Sequence, residues 1–455
     1  MSHYKPYPAY KNSGVEWLGH VPEHWQIKRL KFIATVQTGV AKGKDNVGKD
    51  TIEVPYLRVA NVQDGYLSLD DVTTIEIPRA DLSRYSLCPG DVLMNEGGDF
   101  DKLGRGHVWQ GEIEPCIHQN HVFAVRPAKI PPYWLNAFTG SQAAQFYFMG
   151  RSKQSTNLAS ISSSNVMELP VVIPPDDELS VVLTHLDRET VRIDALMEKK
   201  TRFIELLREK RQALITHAVT KGLDPYSKMK DSGVEWVGEV PEHWSKPMSL
   251  LSLAKHERHS FVNGPFGSDL LTTELTTEGV PVVYIRDIRA SAYRRVSEVC
   301  VSPNKAEQLR FCNVLPGDVI ISKVGDPPGI AAVYPAGEQE GIVTQDVMRF
   351  RVDELQIEPA FMAMLINSDY GRFNISQISV ESTRLRVGLG DFKQLKFTIP
   401  PVVEQRTILA TLQPMLARID ALMDKTAVSV LLLKERRSAL ITAAVTGQID
   451  LREAV

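Results

Sequence analysis

The residues best suited to chemistry lie in a polar segment without acidic side chains. Residues 151–166 carry basic, amide and hydroxyl groups but no aspartate or glutamate. Such side chains hold the phosphates of nucleic acids and form hydrogen bonds with the edges of bases. We therefore predict a nucleic-acid contact here, and its candidate residues are Arg151, Lys153, Gln154 and Asn157.

Other candidates lie in a similar segment of the second half of the chain, in a glycine-rich turn with its counterpart, and at strand ends. Arginine and asparagine suit this role because each can form two hydrogen bonds with one base. For any single residue, an ordinary polar loop or a salt bridge within the domain is the alternative interpretation. These candidates are Arg58, Asn61, Lys102, Arg105, Arg286, Lys323, Arg384 and Arg386.

Motifs for catalysis are incomplete in this sequence. Residues 326–329 read Asp-Pro-Pro-Gly, whereas an amino-methyltransferase has an aromatic fourth residue that stacks on the flipped base. No glycine-rich cofactor loop accompanies this segment, so we interpret it as a turn between strands. Cys116, His118 and His121 could surround a metal ion, but no fourth ligand is evident. We therefore predict no catalytic residue, no metal site and no cofactor bound by this chain.

Size and charge limit the class of protein. A chain of 455 residues with 43% hydrophobic and 24% charged residues is typical of a globular protein with more than one domain. The net charge of −3 argues against a strongly basic protein, so any nucleic-acid surface must be a local patch. The sequence contains no apolar run of ~18 residues and no disulfide framework, and we expect a cytoplasmic protein without membrane contact.

The chain is a duplication with two retained ends. Residues 11–25 return as residues 230–244 with twelve of fifteen positions identical. Near the end of each half, Arg-Ile-Asp-Ala-Leu-Met at 192–197 returns at 418–423, and Ala-Leu-Ile-Thr at 213–216 returns at 439–442.

Between these ends the halves diverge, and only isolated matches survive, such as Pro-Gly-Asp-Val at 89–92 and 316–319 and Gln119 with Gln345. A retained scaffold with a changed interior suits two different recognition surfaces. Duplication followed by drift is the alternative.

The hydrophobic pattern predicts an α+β fold with two long helices. Alternating apolar residues at 54–59, 91–94, 121–125, 280–285, 318–322 and 347–352 predict strands, and residues 133–148 and 359–368 predict short helices. The predicted division is 1–175, a first mixed domain; 176–222, a long helix; 223–401, a second mixed domain; and 402–455, a second long helix.

Apolar residues in both long helices recur at multiples of seven. This period predicts an antiparallel coiled coil with internal pseudo-twofold symmetry, and two independent amphipathic helices are the alternative. Pro414 predicts a kink or a late start in the second helix. The apolar positions are Leu186, Ile193, Leu207, Leu214, Leu412, Ile419, Leu433 and Leu440.

The order and duplication of these motifs resemble type I restriction–modification specificity subunits over nearly the whole chain. The marks are Ser-Gly-Val-Glu-Trp at 13–17 and 232–236, Pro-Glu-His-Trp at 22–25 and 241–244, Asn-Gly-Pro-Phe-Gly-Ser at 263–268, and the closing Leu-Ile-Thr-x-Ala-Val-Thr of both helices. The resemblance implies two target-recognition domains separated by conserved helices, and a loop before each conserved helix that lies near DNA.

The resemblance also implies the partners. They are double-stranded DNA with a bipartite, asymmetric site, two adenine-N6 methyltransferase subunits, and ATP-driven restriction subunits that translocate DNA. S-adenosylmethionine and ATP are then expected on the partner subunits. Two alternatives remain: a duplicated coiled-coil interaction scaffold that does not bind DNA, and a single-chain restriction–methylation enzyme, which the missing motifs disfavour.

Overall fold

The computed structural model describes residues 4–43, 47–98, 103–154, 159–234, 237–290, 292–380 and 384–452. The chain forms two compact units, of which the first comprises Met1–Thr201 with Ala427–Val455 and the second comprises Arg202–Thr426. Each unit contains one divergent region and part of each long helix. The domain boundaries predicted from the sequence follow the ends of the helices instead.

The first unit and the helix that leaves it contain short strands and five helices among the described residues. The strands are β1 (Tyr10–Asn12), β2 (His20–Pro22), β3 (Gln26–Arg29), β4 (Ala34–Thr38), β5 (Thr51–Leu57), β6 (Thr73–Pro78), β7 (Val92–Asn95), β8 (Gly97–Gly98), β9 (Gly106–Val108), β10 (Ile117–His118), β11 (Val122–Pro127), β12 (Lys153–Gln154), β13 (Ala159–Ser160) and β14 (Pro170–Ile173). The helices are α1 (Leu82–Tyr85), α2 (Pro132–Thr139), α3 (Gln142–Arg151), α4 (Ser163–Met167) and α5 (Asp176–Lys221).

The second unit and the helix that leaves it contain a similar but longer series of elements. Its strands are β15 (Met229–Asp231), β16 (Glu239–Pro241), β17 (Met248–Ser249), β18 (Phe261–Asn263), β19 (Leu275–Thr276), β20 (Val280–Val283), β21 (Ile288–Arg289), β22 (Ala292–Tyr293), β23 (Cys300–Val301), β24 (Asn313–Val314), β25 (Val319–Ser322), β26 (Ala331–Val333), β27 (Gly341–Val343), β28 (Val347–Phe350), β29 (Ser379–Val380), β30 (Arg386–Val387) and β31 (Lys396–Phe397). The helices are α6 (Pro303–Gln308), α7 (Pro359–Asn367), α8 (Asp369–Gln377), α9 (Leu389–Gln394) and α10 (Val402–Val445).

A four-stranded antiparallel sheet lies at the centre of each unit. Its order is β4-β11-β7-β9 in the first unit and β18-β28-β25-β26 in the second. A second sheet contains one parallel pair, β10 with β5 in the first unit and β20 with β27 in the second. The two divergent regions therefore share a central sheet of the same strand order and one parallel pair, although their sequences differ.

The central strands are apolar on both faces because each sheet lies between two cores. In β7, Val92 and Met94 face the large core that also contains long-helix residues, whereas Leu93 faces a smaller core. In β25, Ile321 faces the large core of the second unit and Ile320 faces a smaller core. Burial on both faces explains why these strands appear in the sequence as short continuous apolar runs.

The two long helices, α5 and α10, pack against each other in both units. In the first unit, Leu186 and Ile193 of α5 share a core with Leu440 of α10. In the second unit, Ile215 of α5 shares a core with Leu412 of α10. The predicted apolar positions are thus at the packed face, while the antiparallel coiled coil itself stays a prediction.

Ion pairs join the same helices. Asp194 Oδ1 lies 2.9 Å from Arg437 Nε, and Arg211 Nε donates to Asp420 Oδ1 at 2.8 Å. Pro414 lies inside α10, which begins at Val402, so the late start is ruled out.

The six predicted strands are confirmed within a few residues, and the two predicted helical segments are helical. The segment 133–148 falls in two helices, α2 and α3. They separate at Gly140 and Ser141, where the Ser141 side chain accepts a hydrogen bond from Ala144 N and caps α3.

Candidate nucleic-acid interface

In the first unit, the polar segment predicted to contact nucleic acid folds back on itself. Lys153 in β12 lies opposite Ser160 in β13, and Ser160 lies opposite Gly97 in β8. The polar segment and the glycine-rich turn are far apart in sequence, yet this three-stranded sheet brings them side by side. Two of the predicted contact regions therefore form one surface.

The second unit brings its predicted residues together in the same way. Arg386 in β30 lies opposite Val380 in β29 and also forms a β-bridge with Val324. Val387 N donates to Lys323 O at 3.1 Å. Lys323 and Arg386, which the sequence predicted separately, are thus neighbours.

We use the name tip cluster for four residues at one end of the central strands of each unit. Three of them precede or follow a central strand, and the fourth belongs to the adjoining hairpin. The first tip cluster is Glu96, Asn120, His121 and Ser160, and the second is Lys323, Gln345, Asp346 and Arg386.

The backbones of the two tip clusters correspond. Glu96 N donates to His121 O at 2.9 Å, and Lys323 N donates to Asp346 O at 2.8 Å. The side chains at these equivalent positions differ in charge, because glutamate and histidine in one unit are replaced by lysine and aspartate in the other.

The side chains of the first tip cluster form a polar chain. His121 Nδ1 lies 2.8 Å from Glu96 Oε2, and Asn120 Nδ2 lies 3.3 Å from His121 Nε2. The carboxylate is therefore held by an imidazole rather than by a permanent cation.

The second tip cluster places two cations beside one carboxylate. Arg386 Nη2 lies 3.5 Å from Asp346 Oδ1. Burial lowers the pKa of Lys323, the neighbouring Arg386 lowers it further, and Asp346 opposes this change. One carboxylate cannot neutralise two cations, so this cluster keeps an excess of positive charge.

The strand pairing corrects one part of the sequence alignment. Val122 lies opposite Asn95, and Val347 lies opposite Ser322. Because Gln119 N donates to Leu57 O and Thr344 N donates to Val283 O, the structural counterpart of Gln119 is Thr344. The match of Gln119 with Gln345 was wrong by one position, and Gln345 corresponds to Asn120.

At the opposite end of the same strands, both units have the same ion pair, in which the aspartate is buried. Arg126 donates to Asp91 from Nε at 2.6 Å and from Nη2 at 2.7 Å. Arg351 donates to Asp318 from the same two atoms at 2.8 and 2.9 Å. The hydrogen-bonded carboxylate raises the pKa of each arginine. This pair explains why Pro-Gly-Asp is retained in both halves.

The duplicated opening motif contacts the first turn of each long helix. His24 Nε2 lies 2.7 Å from Glu178 Oε2, and His243 Nε2 lies 2.7 Å from Glu404 Oε2. The retained Pro-Glu-His-Trp motif therefore attaches each mixed region to its helix.

The duplicated Leu-Ile-Thr motif caps a short helix. Thr442 Oγ1 accepts a hydrogen bond from Gln142 N at the start of α3, and Thr216 Oγ1 accepts one from Asp369 N at the start of α8, both at 3.0 Å. Each of these short helices leads directly towards a tip-cluster hairpin, so the retained threonines help to position the predicted interface.

Residues 295–428 match the family model for the type I restriction modification DNA specificity domain. The putative type I restriction enzyme MjaX specificity subunit of Methanocaldococcus jannaschii is 26% identical over 230 residues, which are 50% of this chain. This match spans only about half of that relative, 52% of its length. The StySPI specificity subunit of Salmonella potsdam is 22% identical over 89% of this chain and 84% of its own length.

The similarity to type I restriction enzyme specificity subunits thus extends over most of the chain. A solved chain from a study of complex assembly and conformational transition of the type I R-M system matches 94% of this chain and 99% of its own length. It has a TM-score of 0.70 and 15% identity. This similarity supports the α+β fold with a long C-terminal helix. Specificity subunits are the non-catalytic components of type I systems, so this similarity agrees with the prediction that the chain is not an enzyme.

The first polar segment lies at the surface of the first unit. Arg151, Lys153 and Gln154 are exposed, and the Arg151 guanidinium lies 4.0 Å from the Tyr147 ring centroid. Arg384 and Arg386 are also exposed in the second unit. The remaining candidates in these loops, Lys102 and Asn157, lie outside the described residues.

The prediction for Asn61 is corrected by its surroundings. Its side chain is buried, its Oδ1 accepts from Arg58 N at 2.8 Å, and its Nδ2 donates to Ser68 O and Asp71 O. Asp287 occupies the same position in the second unit and accepts from Tyr284 N. Asn61 therefore closes a turn, and we remove it from the predicted interface.

Three arginines have contacts within the protein. Arg58 Nη2 donates to Asp71 Oδ2 at 2.9 Å, and Arg105 Nη1 lies 3.3 Å from Asp64 Oδ2. These are the salt bridges that the sequence left open as an alternative, so a DNA phosphate would have to compete with a carboxylate there. Arg286 is exposed and donates from Nε to Ser297 Oγ at 2.6 Å.

Sequence reasoning did not name Glu96, Asn120 and Asp346 as candidates, and it considered His121 only as a metal ligand. Their position directly beside strands that the sequence predicted is the signal that could have found them. Among the described residues, no group of three His, Cys, Asp or Glu side chains is arranged to hold a metal ion. No helix built from these residues is long and apolar enough to cross a membrane.

Proposed function

We propose that the chain binds a bipartite, asymmetric DNA site, that each unit reads one half-site, and that it directs an adenine-N6 methyltransferase and restriction subunits to that site. One observation carries this proposal. Two scaffolds with the same strand order present different side chains at equivalent positions of the tip clusters. Exchanged polar groups on a retained scaffold suit reading of two different base sequences.

The proposed complex contains two methyltransferase subunits and translocating restriction subunits. S-adenosylmethionine and ATP are bound by those partners, and this chain supplies binding energy and specificity alone. Basic residues near the tip clusters, including Arg151 at the end of α3 and Lys153 in β12, hold phosphates, and residues of the tip clusters contact base edges.

We further propose that the two long helices separate the recognition regions by a fixed distance. Insertion of seven residues after Lys200 and seven after Thr426 adds one heptad to each helix and preserves the apolar period. It lengthens the helices by about 10 Å, which equals about three base pairs. We expect the half-sites to remain and the unread spacer to grow. A changed half-site with an unchanged spacer would contradict this proposal.

The main test uses the chain reconstituted with its methyltransferase subunits. Sequencing of methylated adenines in a DNA library should give one motif with two half-sites, and binding of duplex DNA should weaken as salt rises. The chain alone, incubated with labelled S-adenosylmethionine and the same DNA, should transfer no label. A complex that assembles but shows no salt-dependent DNA binding would instead support an interaction scaffold.

A further inference from the structure

The two tip clusters differ in the hydrogen bonds that they can offer to DNA. Lys323 and Arg386 carry only hydrogen-bond donors, and Asp346 is the single carboxylate among the four residues of their cluster. In the first cluster, Glu96 is an acceptor held by His121, and no lysine or arginine occupies the four positions. The positions match in the backbone, so the difference lies in the side chains alone.

Base edges in the major groove differ in the same property, because some present hydrogen-bond acceptors and others present donors. Guanine presents the acceptors O6 and N7, whereas cytosine and adenine present exocyclic amino donors. A donor-rich cluster therefore fits guanine, and an exposed acceptor fits an amino group.

We propose that the tip clusters discriminate bases with opposite hydrogen-bond polarity. Lys323 and Arg386 contact the O6 and N7 acceptors of a guanine in one half-site, and Glu96 accepts from the amino group of a cytosine or adenine in the other. This inference rests on the proposed function, because it assumes that each unit reads a half-site.

The surroundings of these side chains favour base contact over phosphate contact. Lys323 is half-buried, follows a central strand and has a backbone bonded to β30, so its position is set by the sheet rather than by a flexible loop. A carboxylate such as Glu96 repels phosphates, but it can accept a hydrogen bond from an amino group. His121 and Asn120 hold the first cluster in one arrangement. Fixed side chains of this kind give directional hydrogen bonds, which discrimination between bases requires.

The experiment uses the full chain in complex with its methyltransferase subunits. The two half-sites are first identified by sequencing of methylated DNA. Each guanine in them is then replaced singly by 7-deazaguanine, which lacks the N7 acceptor and keeps base pairing. We expect one replacement to weaken binding by the unchanged complex on the order of tenfold. Lys323→Ala or Arg386→Ala should abolish this sensitivity, and Lys396→Ala, an exposed lysine on β31, should retain it.

A reciprocal exchange tests the first tip cluster. The double variant Glu96→Lys, His121→Asp copies the second cluster at equivalent positions, and its methylated motif should gain a guanine at one position of one half-site while the other half-site stays the same. Unchanged motifs, or a cognate complex that tolerates every 7-deazaguanine, would overturn the inference and leave the proposed function intact. Failure of the unchanged complex to bind DNA at all would overturn the proposed function itself.

Discussion

The two ends of the same central strands behave differently when the units are compared. At one end, Asp91 with Arg126 and Asp318 with Arg351 form the same two-bond ion pair. At the other end, equivalent backbone positions carry a glutamate and a histidine in one unit and a lysine and an aspartate in the other. At the end with the ion pair, the aspartate is buried in both units. At the end with the tip cluster, the side chains are partly or fully exposed to solvent.

This difference has a physical cause. A buried carboxylate needs its cation and its backbone donors, and replacement of one partner leaves an uncompensated charge or an unsatisfied polar group. A solvent-facing side chain can be replaced at little cost because water takes the place of its partner. The same pair of strands can therefore preserve a fold at one end and change its specificity at the other.

The largest expected effect comes from removal of a buried aspartate. Asp318→Ala deprives Leu315 N of its acceptor and leaves Arg351 with only Glu257 as a carboxylate partner. We expect a loss of about 3 kcal/mol in the free energy of unfolding, measured by urea denaturation.

The matched control lies at the other end of the same strands. Asp346→Ala should change the free energy of unfolding by about 0.5 kcal/mol or less. Equal losses from the two variants would show that the two ends do not differ in their structural role.

A smaller effect separates the two helix attachments. The side chain of Glu178 is 4% exposed, contacts His24 and accepts from the Tyr7 hydroxyl, whereas that of Glu404 is 27% exposed and contacts His243 and Trp244. We expect Glu178→Ala to cost about 2 kcal/mol and Glu404→Ala about 1 kcal/mol, compared as shifts in Tm. A greater loss for Glu404→Ala would contradict the ranking by burial.

The exposed basic loop should affect DNA binding and not stability. Arg151→Ala with Lys153→Ala removes two proposed phosphate contacts, so the slope of log affinity against log salt should fall by up to about two. Tm and assembly with the methyltransferase should be unchanged. An unaltered salt slope would exclude phosphate contact by this loop.

The smallest expected effect concerns pH. Because the pKa of Lys323 is lowered, its ammonium loses its proton at a lower pH than an ordinary lysine. The contribution of Lys323 to DNA binding is therefore complete below this lowered pKa and is lost as pH rises through it. We expect about a fivefold loss of affinity between neutral and alkaline pH in fluorescence anisotropy. Lys323→Arg should flatten this dependence, since arginine stays protonated.

Much of the fold could be predicted because its signals are local. Periodic apolar residues marked the central strands and both long helices, and the duplication showed that two regions share a scaffold. The interface was harder to predict, because the ionic partners of its residues lie far away in sequence. Asn61 illustrates this limit: asparagine is a suitable base reader by type, yet its amide closes a turn.

The sequence by itself determined the duplication, the position of the central strands, the apolar faces of the helices and the resemblance to type I specificity subunits. Only the tertiary structure decided which polar residues meet at the tips. Hydrophobic periodicity is a property of a single segment, so it can be recognised in the sequence without knowing which other segments pack beside it. Side-chain neighbours depend on strand register, and a shift of one position, as between Gln119 and Asn120, changes which residues correspond in the two units.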